Sequence, residues 1–221
     1  MLDILFITDY VCPYCLVAKE ALRQALQETG LSARITLQPM ELSPEGRPQV
    51  DTYNDPVRRS HYQVLVEPCE ALGLDMKLPP AVIPRPRTRL AFEGRCFAIE
   101  NGCEEAYNDL MYKAYFIDEQ DIGDLDVLCR LAAGLGLDAD KYREMLEYGI
   151  YSDYQAEQNR ISREQYQPEG IPTIYINGQK VSIEAYTVEE MTGILKAFAS
   201  EETDHLPSSA TGFTGCGPDG C

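Results

Sequence analysis

Apolar and polar positions near the start of the chain follow the order strand, helix, strand. Residues 2–7 are an apolar run that predicts a buried strand. Residues 13–28 repeat alanine and leucine at spacings of three and four, which predicts a helix that ends at Gly30. Residues 33–38 alternate apolar and polar side chains and predict a second strand. We expect the two strands to be parallel because a helix connects them.

The pattern is helical from about residue 54 to residue 167. A cluster of prolines separates the first two helices of this block, and Asp124 stands where an N-cap residue is expected. The predicted helices cover residues 55–72, 87–101, 103–117, 124–135, 138–148 and 150–166.

Strand signals return after the helical block. Residues 172–176 are β-branched and aromatic, and the Asn-Gly pair at 177–178 predicts a tight hairpin turn into a returning strand. A last helix is expected from Thr187, with Glu190 as its capping-box partner, to about Phe198.

The order of these elements predicts one α/β domain that is split by an inserted helical domain. We place its first part at residues 1–53, the insertion at 54–167 and its second part at 168–199. Residues 200–221 are polar and rich in glycine, which is typical of a flexible tether.

The composition and net charge of the chain indicate which kinds of molecule it is expected not to bind. The chain has 221 residues, of which 44% are hydrophobic, and this is enough for a sizeable core. A net charge of -17 repels phosphate backbones and anionic lipids, so we expect no nucleic-acid partner and no membrane partner. The first residues lack the basic and long apolar segments of a secretory signal, and we therefore predict a cytoplasmic location.

The candidate chemistry lies between the first strand and the first helix, in Cys12-Pro13-Tyr14-Cys15. Two thiols at this spacing suit disulfide exchange, because a helix N-terminus favours the thiolate and a second cysteine can resolve a mixed disulfide. Pro13 suits the first helical position. The alternative is that the two cysteines are two of the four ligands of a structural zinc site. Neither histidine of the chain lies near the motif to complete such a site. We predict redox chemistry without a metal or an organic cofactor.

A second candidate element is Gly170-Ile171-Pro172-Thr173. A proline that opens a strand lies at a sheet edge or forms a cis peptide bond at a tight turn. The strand, hairpin and helix that follow favour the cis form here, whereas a trans proline that marks a strand start is the alternative.

Five passages of the chain carry a family resemblance. They are Asp9-Tyr10-Val11-Cys12-Pro13-Tyr14-Cys15, Pro39-Met40-Glu41-Leu42-Ser43-Pro44-Glu45-Gly46, Thr88-Arg89-Leu90-Ala91, Lys113-Ala114-Tyr115-Phe116 with the run from Asp121 to Asp138, and Gly170-Ile171-Pro172-Thr173. In this order and spacing they resemble the FrnE-type subgroup of the DsbA-like thioredoxin-fold oxidoreductases. The resemblance covers about residues 2–200.

The resemblance implies a thioredoxin-like fold with a helical domain inserted after the first βαβ unit. It implies an enzyme that exchanges disulfides with protein thiols, with glutathione as a further partner. Cys12 would be the attacking thiol and Cys15 the resolving thiol. Pro172 would be a cis-proline that faces them, and Ile171 would offer its backbone to the substrate chain.

Two other functions remain open on the same scaffold. A kappa-type glutathione transferase or a 2-hydroxychromene-2-carboxylate isomerase would use a hydroxyl at the motif and no second cysteine, so Cys15 counts against this class. A chaperone whose helical domain holds client proteins is the third interpretation.

The last six residues place Cys216 and Cys221 on either side of a Gly-Pro-Asp-Gly turn sequence. Such a turn can bring two Cα atoms within disulfide range, and FrnE-type proteins carry a similar pair. We predict a second redox pair that exchanges disulfides with Cys12 and Cys15. Idle thiols on a tail and a soft metal site are the alternatives.

Overall fold

The computed structural model describes residues 1–204, and the side chains of residues 1–200. Four strands and nine α-helices follow one another in this part of the chain. They are β1 (Leu2–Thr8), α1 (Pro13–Thr29), β2 (Ala33–Pro39), α2 (Pro56–Gln63), α3 (Val66–Leu72), α4 (Arg89–Glu100), α5 (Glu104–Phe116), α6 (Leu125–Gly134), α7 (Ala139–Glu147), α8 (Ser152–Ile161), β3 (Thr173–Ile176), β4 (Gln179–Val181) and α9 (Val188–Asp204).

The four strands form one mixed sheet in the order β2-β1-β3-β4. Strands β1 and β2 are parallel, with Leu2 opposite Ala33 and Thr8 opposite Pro39. Strand β3 runs antiparallel to β1, and β4 returns antiparallel to β3. This topology, with α2 to α8 between β2 and β3, confirms the α/β fold that the sequence predicts. The boundaries at 53, 167 and 199 stay predictions.

Helix α1 packs against α9, and its buried face shares one hydrophobic core with the inner residues of β1. Its inner face buries Val17, Ala18 and Ala21 completely. Gly30 ends the helix in the left-handed conformation, and its N–H donates to Leu26 O at 3.0 Å. Helix α1 is therefore anchored to the core along its inner face and ends at Gly30.

A cluster of aromatic side chains joins the helical block to the turn after β1. The Tyr10 ring stacks on Phe92 of α4 with centroids 4.4 Å apart, and meets Tyr112 of α5 edge-on at 5.3 Å. The Tyr10 hydroxyl donates to Asn108 Oδ1, also on α5. The turn between β1 and α1 is therefore held by residues distant in the sequence.

The predicted helix 55–72 is wrong in one respect, because the structure divides it into α2 and α3. Pro68 explains the break. A continuous helix would need an N–H at this position to bind Val64 O, and the proline ring would clash with that carbonyl group. As the third residue of α3, Pro68 stands where no N–H partner is required.

The helix predicted over 150–166 is regular only to Ile161, and a π-helical turn, Ser162–Tyr166, follows. The Ser162 hydroxyl donates to Pro39 O at 2.7 Å, which draws this turn against the end of β2.

The last helix, α9, continues to Asp204, beyond the predicted end at Phe198. Within residues 1–204, no helix combines the length and the apolar character that a membrane crossing requires.

We expect Gly94→Ala to destabilise the protein. A Cβ atom at this position of α4 would overlap the hydroxyls of Tyr107 and Tyr142, and would lie 2.7 Å from Tyr142 Cζ. Because three atoms of two fully buried tyrosines lie within 3.0 Å of that Cβ, we expect a cost in the upper part of the range of about 1–3 kcal/mol for overpacking. This exceeds the gain of about 1 kcal/mol that alanine has over glycine in helix propensity. Urea unfolding would measure the loss. Gly193→Ala in α9 is the matched control, because a Cβ there meets no atom within 4 Å and should stabilise. Equal effects in both variants would contradict this account.

Candidate active site

Cys12 occupies the N-cap position of α1. Its backbone is extended, with φ -92° and ψ 113°, and Pro13 follows as the first helical residue. Cys12 O accepts from Cys15 N at 3.1 Å and from Leu16 N at 3.4 Å, and Cys12 N donates to Asp9 O at 3.0 Å. The sulfur is therefore placed at the helix N-terminus, where free N–H groups and the helix dipole favour a negative charge.

The loop before β3 lies directly against this sulfur. Cys12 Sγ donates to Ile171 O at 3.5 Å. The Ile171–Pro172 peptide bond is cis, and both residues are partly exposed. The structure thus brings Cys12 together with Ile171, 159 positions away in the sequence, and with the neighbouring Pro172.

Cys15 lies one turn into α1 and is fully buried, whereas Cys12 retains 3% exposure. Burial, and then the hydrogen bond with Cys12, raise the pKa of Cys15 well above its usual range. The Thr8 hydroxyl and the Asp9 N–H lower the pKa of Cys15 and so oppose part of this increase. Both cysteines are free thiols. Of the two thiols, only Cys12 retains any exposed surface.

Tyr14 ties the motif to two other elements. Its hydroxyl donates to His61 O at 3.1 Å, at the end of α2. Its ring lies 5.7 Å from the ring of Tyr186, in the loop before α9. Burial and the nearby Cys12 sulfur raise the pKa values of both tyrosines. Tyr14 and Tyr186 therefore form an aromatic wall beside Cys12.

Glu190 holds the loop that carries Tyr186. Thr187 caps α9 as predicted, because its hydroxyl accepts from Glu190 N at 3.1 Å. The predicted capping box is incomplete, however. The Glu190 carboxylate accepts from the N–H groups of Glu184, Ala185 and Tyr186 at 2.7, 3.0 and 2.9 Å instead. These three donors fix Tyr186 at a positive φ of 57°.

Two buried carboxyl groups lie behind the site. Asp9 Oδ2 accepts from Leu42 N at 2.7 Å, and Glu41 binds the side-chain amides of Gln155 and Asn159. Burial raises the pKa of Asp9, and burial together with Asp9 raises the pKa of Glu41. Asp9 thus secures the loop after β2 to the turn that carries Cys12.

The sequence singles out the cysteines, Pro13, Tyr14 and the Ile171–Pro172 pair, and misses Thr8, Tyr112 and Tyr186. Thr8 and Tyr112 share a buried hydrogen bond between β1 and α5. The position of Thr8, four residues before Cys12 at the end of an apolar strand, is the one signal that points to it.

Cys216 and Cys221, the predicted second redox pair, lie outside the described residues. Within residues 1–204, no three His, Cys, Asp or Glu side chains lie close enough together to hold a metal ion.

Comparison with known proteins decides the family. The model of the DSBA-like thioredoxin domain matches residues 3–196. The chain belongs to this family. It is 37% identical over 170 residues to the "Uncharacterized protein YwbO" of Bacillus subtilis (strain 168), which covers 76% of this chain and 84% of that protein.

Solved structures of the family agree with the fold. The "probable DsbA oxidoreductase" of Streptomyces coelicolor has a TM-score of 0.74 and 26% identity, over 100% of this chain and 98% of that chain. Two more distant structures share the fold alone. The cytosolic disulfide reductase DsbM of Pseudomonas aeruginosa, solved with glutathione, has a TM-score of 0.64 and 14% identity over 90% and 99%. A 2-hydroxychromene-2-carboxylate isomerase has a TM-score of 0.70 and 15% identity over 91% and 98%.

We expect Asp9→Asn to stabilise the protein at neutral pH. Because the pKa of Asp9 is raised on folding, its ionisation costs stability as pH rises from the unfolded pKa towards the folded one. Asparagine keeps an acceptor for Leu42 N–H and carries no charge. The gain should vanish in acid, near pH ~4 and below, where the aspartate is protonated in both states.

Urea unfolding of both proteins across this pH range would measure the effect. Asp138→Asn is the control with the opposite sign, because the hydrogen bond from Lys141 N lowers the pKa of Asp138. That variant should lose stability at neutral pH and match the wild type in acid. An Asp9→Asn protein that is less stable than the wild type at neutral pH would contradict the prediction.

Proposed function

We propose that the protein is a FrnE-type thiol–disulfide oxidoreductase that exchanges disulfides with protein thiols through Cys12 and Cys15. One observation carries the proposal: Cys12 Sγ lies at the N-terminus of α1 and contacts Ile171 O of the cis-proline loop. A helix N-terminus stabilises the attacking thiolate, and an adjacent backbone loop can align an extended substrate.

The reaction in the reducing direction has two steps. The Cys12 thiolate attacks one sulfur of the substrate disulfide, and the other substrate sulfur leaves with the electron pair and takes up a proton. Cys15 then loses its proton and attacks Cys12 Sγ, which releases the second substrate thiol. The two cysteines are oxidised to a disulfide while the substrate disulfide is reduced to two thiols. The oxidising direction is the reverse of these steps.

Ile171 is the proposed contact for the substrate backbone. Its carbonyl group lies at the reacting sulfur and the residue is partly exposed, so a peptide that enters as an added strand reaches both at once. Tyr14 and Tyr186, whose ring centroids lie 5.7 Å apart, would form a further part of the same surface.

Glutathione is part of the proposal as a second thiol partner, and a cytoplasmic location accompanies it. The structural neighbour DsbM, a cytosolic reductase solved with glutathione, supports both, although its similarity extends to the fold alone. A small thiol needs only Cys12 and its helix N-terminus, and both are present.

A glutathione transferase or 2-hydroxychromene-2-carboxylate isomerase is the second candidate, supported by the structural neighbour of that name. The buried Cys15 favours the oxidoreductase, since that alternative chemistry has no need of a second thiol in contact with the first.

Substitution of each cysteine separates these candidates. We expect Cys15→Ser to accumulate a mixed disulfide at Cys12 with oxidised glutathione, because the resolving thiol is gone. We expect Cys12→Ser to form no such adduct and to lose reduction of a disulfide-containing protein. Mass spectrometry of quenched, alkylated samples would measure both results.

Cys129→Ser in α6 is the matched control, since this buried thiol lies in the helical block and should not affect exchange. An adduct in Cys12→Ser at the wild-type rate would refute the assignment of the attacking thiol. Glutathione conjugation that survives Cys15→Ser unchanged would instead support the transferase class.

We further propose that Cys216 and Cys221 form a second redox pair that exchanges disulfides with Cys12 and Cys15. The spacing around a turn sequence supports a bridge between them. Removal of residues 212–221 should change turnover with protein substrates by several-fold while leaving exchange with glutathione intact. The double variant Cys216→Ser/Cys221→Ser, which keeps the chain length, should behave like the truncated protein. Wild-type turnover in both proteins would contradict the proposed second redox pair.

A further inference from the structure

The loop that connects β4 to α9 holds a tyrosine in a rare conformation. Tyr186 has a positive φ of 57°, which glycine adopts readily and a bulky side chain seldom does. Such a residue persists only where its surroundings hold it, and it suggests a function for the side chain. The Tyr186 ring contacts the ring of Tyr14 from the cysteine motif, with centroids 5.7 Å apart. This loop conformation therefore brings a second aromatic ring to the motif.

The carboxylate of Glu190, on the first turn of α9, holds this loop. Its two oxygens accept from three consecutive backbone N–H groups, those of Glu184, Ala185 and Tyr186, at 2.7, 3.0 and 2.9 Å. Hydrogen bonds to an ionised carboxylate are stronger than those between neutral groups. Among the side chains that the structure describes, only Glu190 accepts from these three groups. The conformation of Tyr186 therefore depends on Glu190.

Tyr14 is fixed separately, at the start of α1. It is the second residue of the helix, two positions after Cys12, which corresponds to about 3 Å along the helix axis. Its hydroxyl donates to His61 O at 3.1 Å. Both Tyr14 and Tyr186 are partly exposed. Two partly exposed rings so close to the reacting thiol can contact the side chains that a substrate brings to Cys12.

We propose that Tyr14 and Tyr186 receive an aromatic or large apolar side chain next to the substrate cysteine, and that Glu190 positions this pair of rings. Adjacent residues of an extended peptide are ~3.3 Å apart, so a cysteine that reaches Cys12 brings its neighbour within reach of Tyr14. Aromatic rings in stacked or edge-to-face contact stabilise one another beyond the area that they bury. The two tyrosines touch the substrate, and Glu190 acts through Tyr186 as a positioning residue.

The inference rests on the proposed function and concerns the binding that precedes its first step. The Cys12 thiolate then attacks the substrate disulfide as described above, and the two rings take no part in the transfer of electrons or protons. Oxidised glutathione carries no aromatic or large apolar side chain, so its reaction at Cys12 should not depend on the rings. A peptide and glutathione together therefore distinguish recognition from chemistry.

The test compares two peptides, each closed by one disulfide, that differ only in a phenylalanine or a serine beside the second cysteine. Reduced protein is mixed with excess peptide, quenched in acid and alkylated, and mass spectrometry follows the oxidation of Cys12 and Cys15. The dependence on peptide concentration gives a half-saturating concentration and a limiting rate. For the wild type we expect the half-saturating concentration of the phenylalanine peptide to be about fivefold lower, the effect of one aromatic contact, with equal limiting rates.

Glu190→Ala and Tyr186→Ala should each raise the half-saturating concentration of the phenylalanine peptide to nearly that of the serine peptide. Neither variant should change the limiting rate, or the rate with oxidised glutathione. The double variant should be no worse than Tyr186→Ala, because Glu190 acts through Tyr186. Glu190→Gln keeps one of the two acceptor oxygens and should retain part of the preference.

Two matched controls separate this role from a structural one. Glu189→Ala removes the neighbouring carboxylate of α9, which is exposed and has no hydrogen bond or ion pair within residues 1–200, and should behave like the wild type. Thr187→Ala removes the acceptor of Glu190 N and so weakens the start of α9, but leaves the three bonds to the loop. That variant should lose stability and keep the preference for the phenylalanine peptide.

The inference is overturned if the wild type does not distinguish the two peptides, or if its preference survives in both Glu190→Ala and Tyr186→Ala. An equal loss of preference in Glu189→Ala, or a slower reaction of Glu190→Ala with oxidised glutathione, would overturn it as well. If Glu190→Ala does not fold, Tyr186→Ala and Glu190→Gln decide.

The proposed function fails separately from this inference. A wild-type protein whose Cys12 and Cys15 are oxidised by neither peptide nor by glutathione would overturn both. Equal reaction with the two peptides would overturn the role of the rings alone and leave the oxidoreductase in place.

Discussion

The turn that joins β1 to α1 is held from three sides, and the candidate site depends on this restraint. Backbone bonds from Cys15 and Leu16 fix Cys12 at the helix start. The loop before β3 reaches Cys12 through Ile171 O. From the helical block, Phe92 packs against the turn at Tyr10. A sulfur at a helix N-terminus is useful only if its position is constant, and here three separate segments determine it.

Burial controls the electrostatics of this region. It is the first cause of the raised pKa values of Cys15, Asp9 and Tyr112. Because the ionised form of each group is disfavoured there, negative charge can develop only where hydrogen-bond donors meet it. The two thiols therefore differ in their surroundings: Cys12 lies at the helix N-terminus and retains 3% exposure, whereas Cys15 is fully buried one turn into α1.

The helical block does more than lie between two halves of the sheet. Its α5 carries Asn108 and Tyr112, which bind Tyr10 and Thr8 on either side of Asp9. The end of α2 accepts a hydrogen bond from Tyr14. The block thus contributes side chains and a backbone acceptor to the surroundings of the cysteine motif, and the helical block and the sheet form the site together.

Local pattern was sufficient for the elements with strong signals. The first strand, helix and second strand, the Asn-Gly hairpin and the Asp124 cap all lie where the sequence placed them, because each depends on spacing, a turn pair or a cap within a few residues. The motif and its likeness to a family were visible for the same reason. Local pattern failed where one residue changed the backbone: Pro68 divided a long helix, and Ser162 drew a π-helical turn towards β2.

The contacts around the sulfurs were decided by tertiary structure. Tyr112 is one of fourteen tyrosines and nothing near it in the sequence marks it, whereas Thr8 is marked only by its position four residues before Cys12. Their hydrogen bond spans 104 positions and the contact of Cys12 with Ile171 spans 159. The sequence determined which residues could do redox chemistry, since that follows from side-chain type and short spacing. Only the folded chain determined which groups surround them, because burial and hydrogen bonding depend on segments that meet in space.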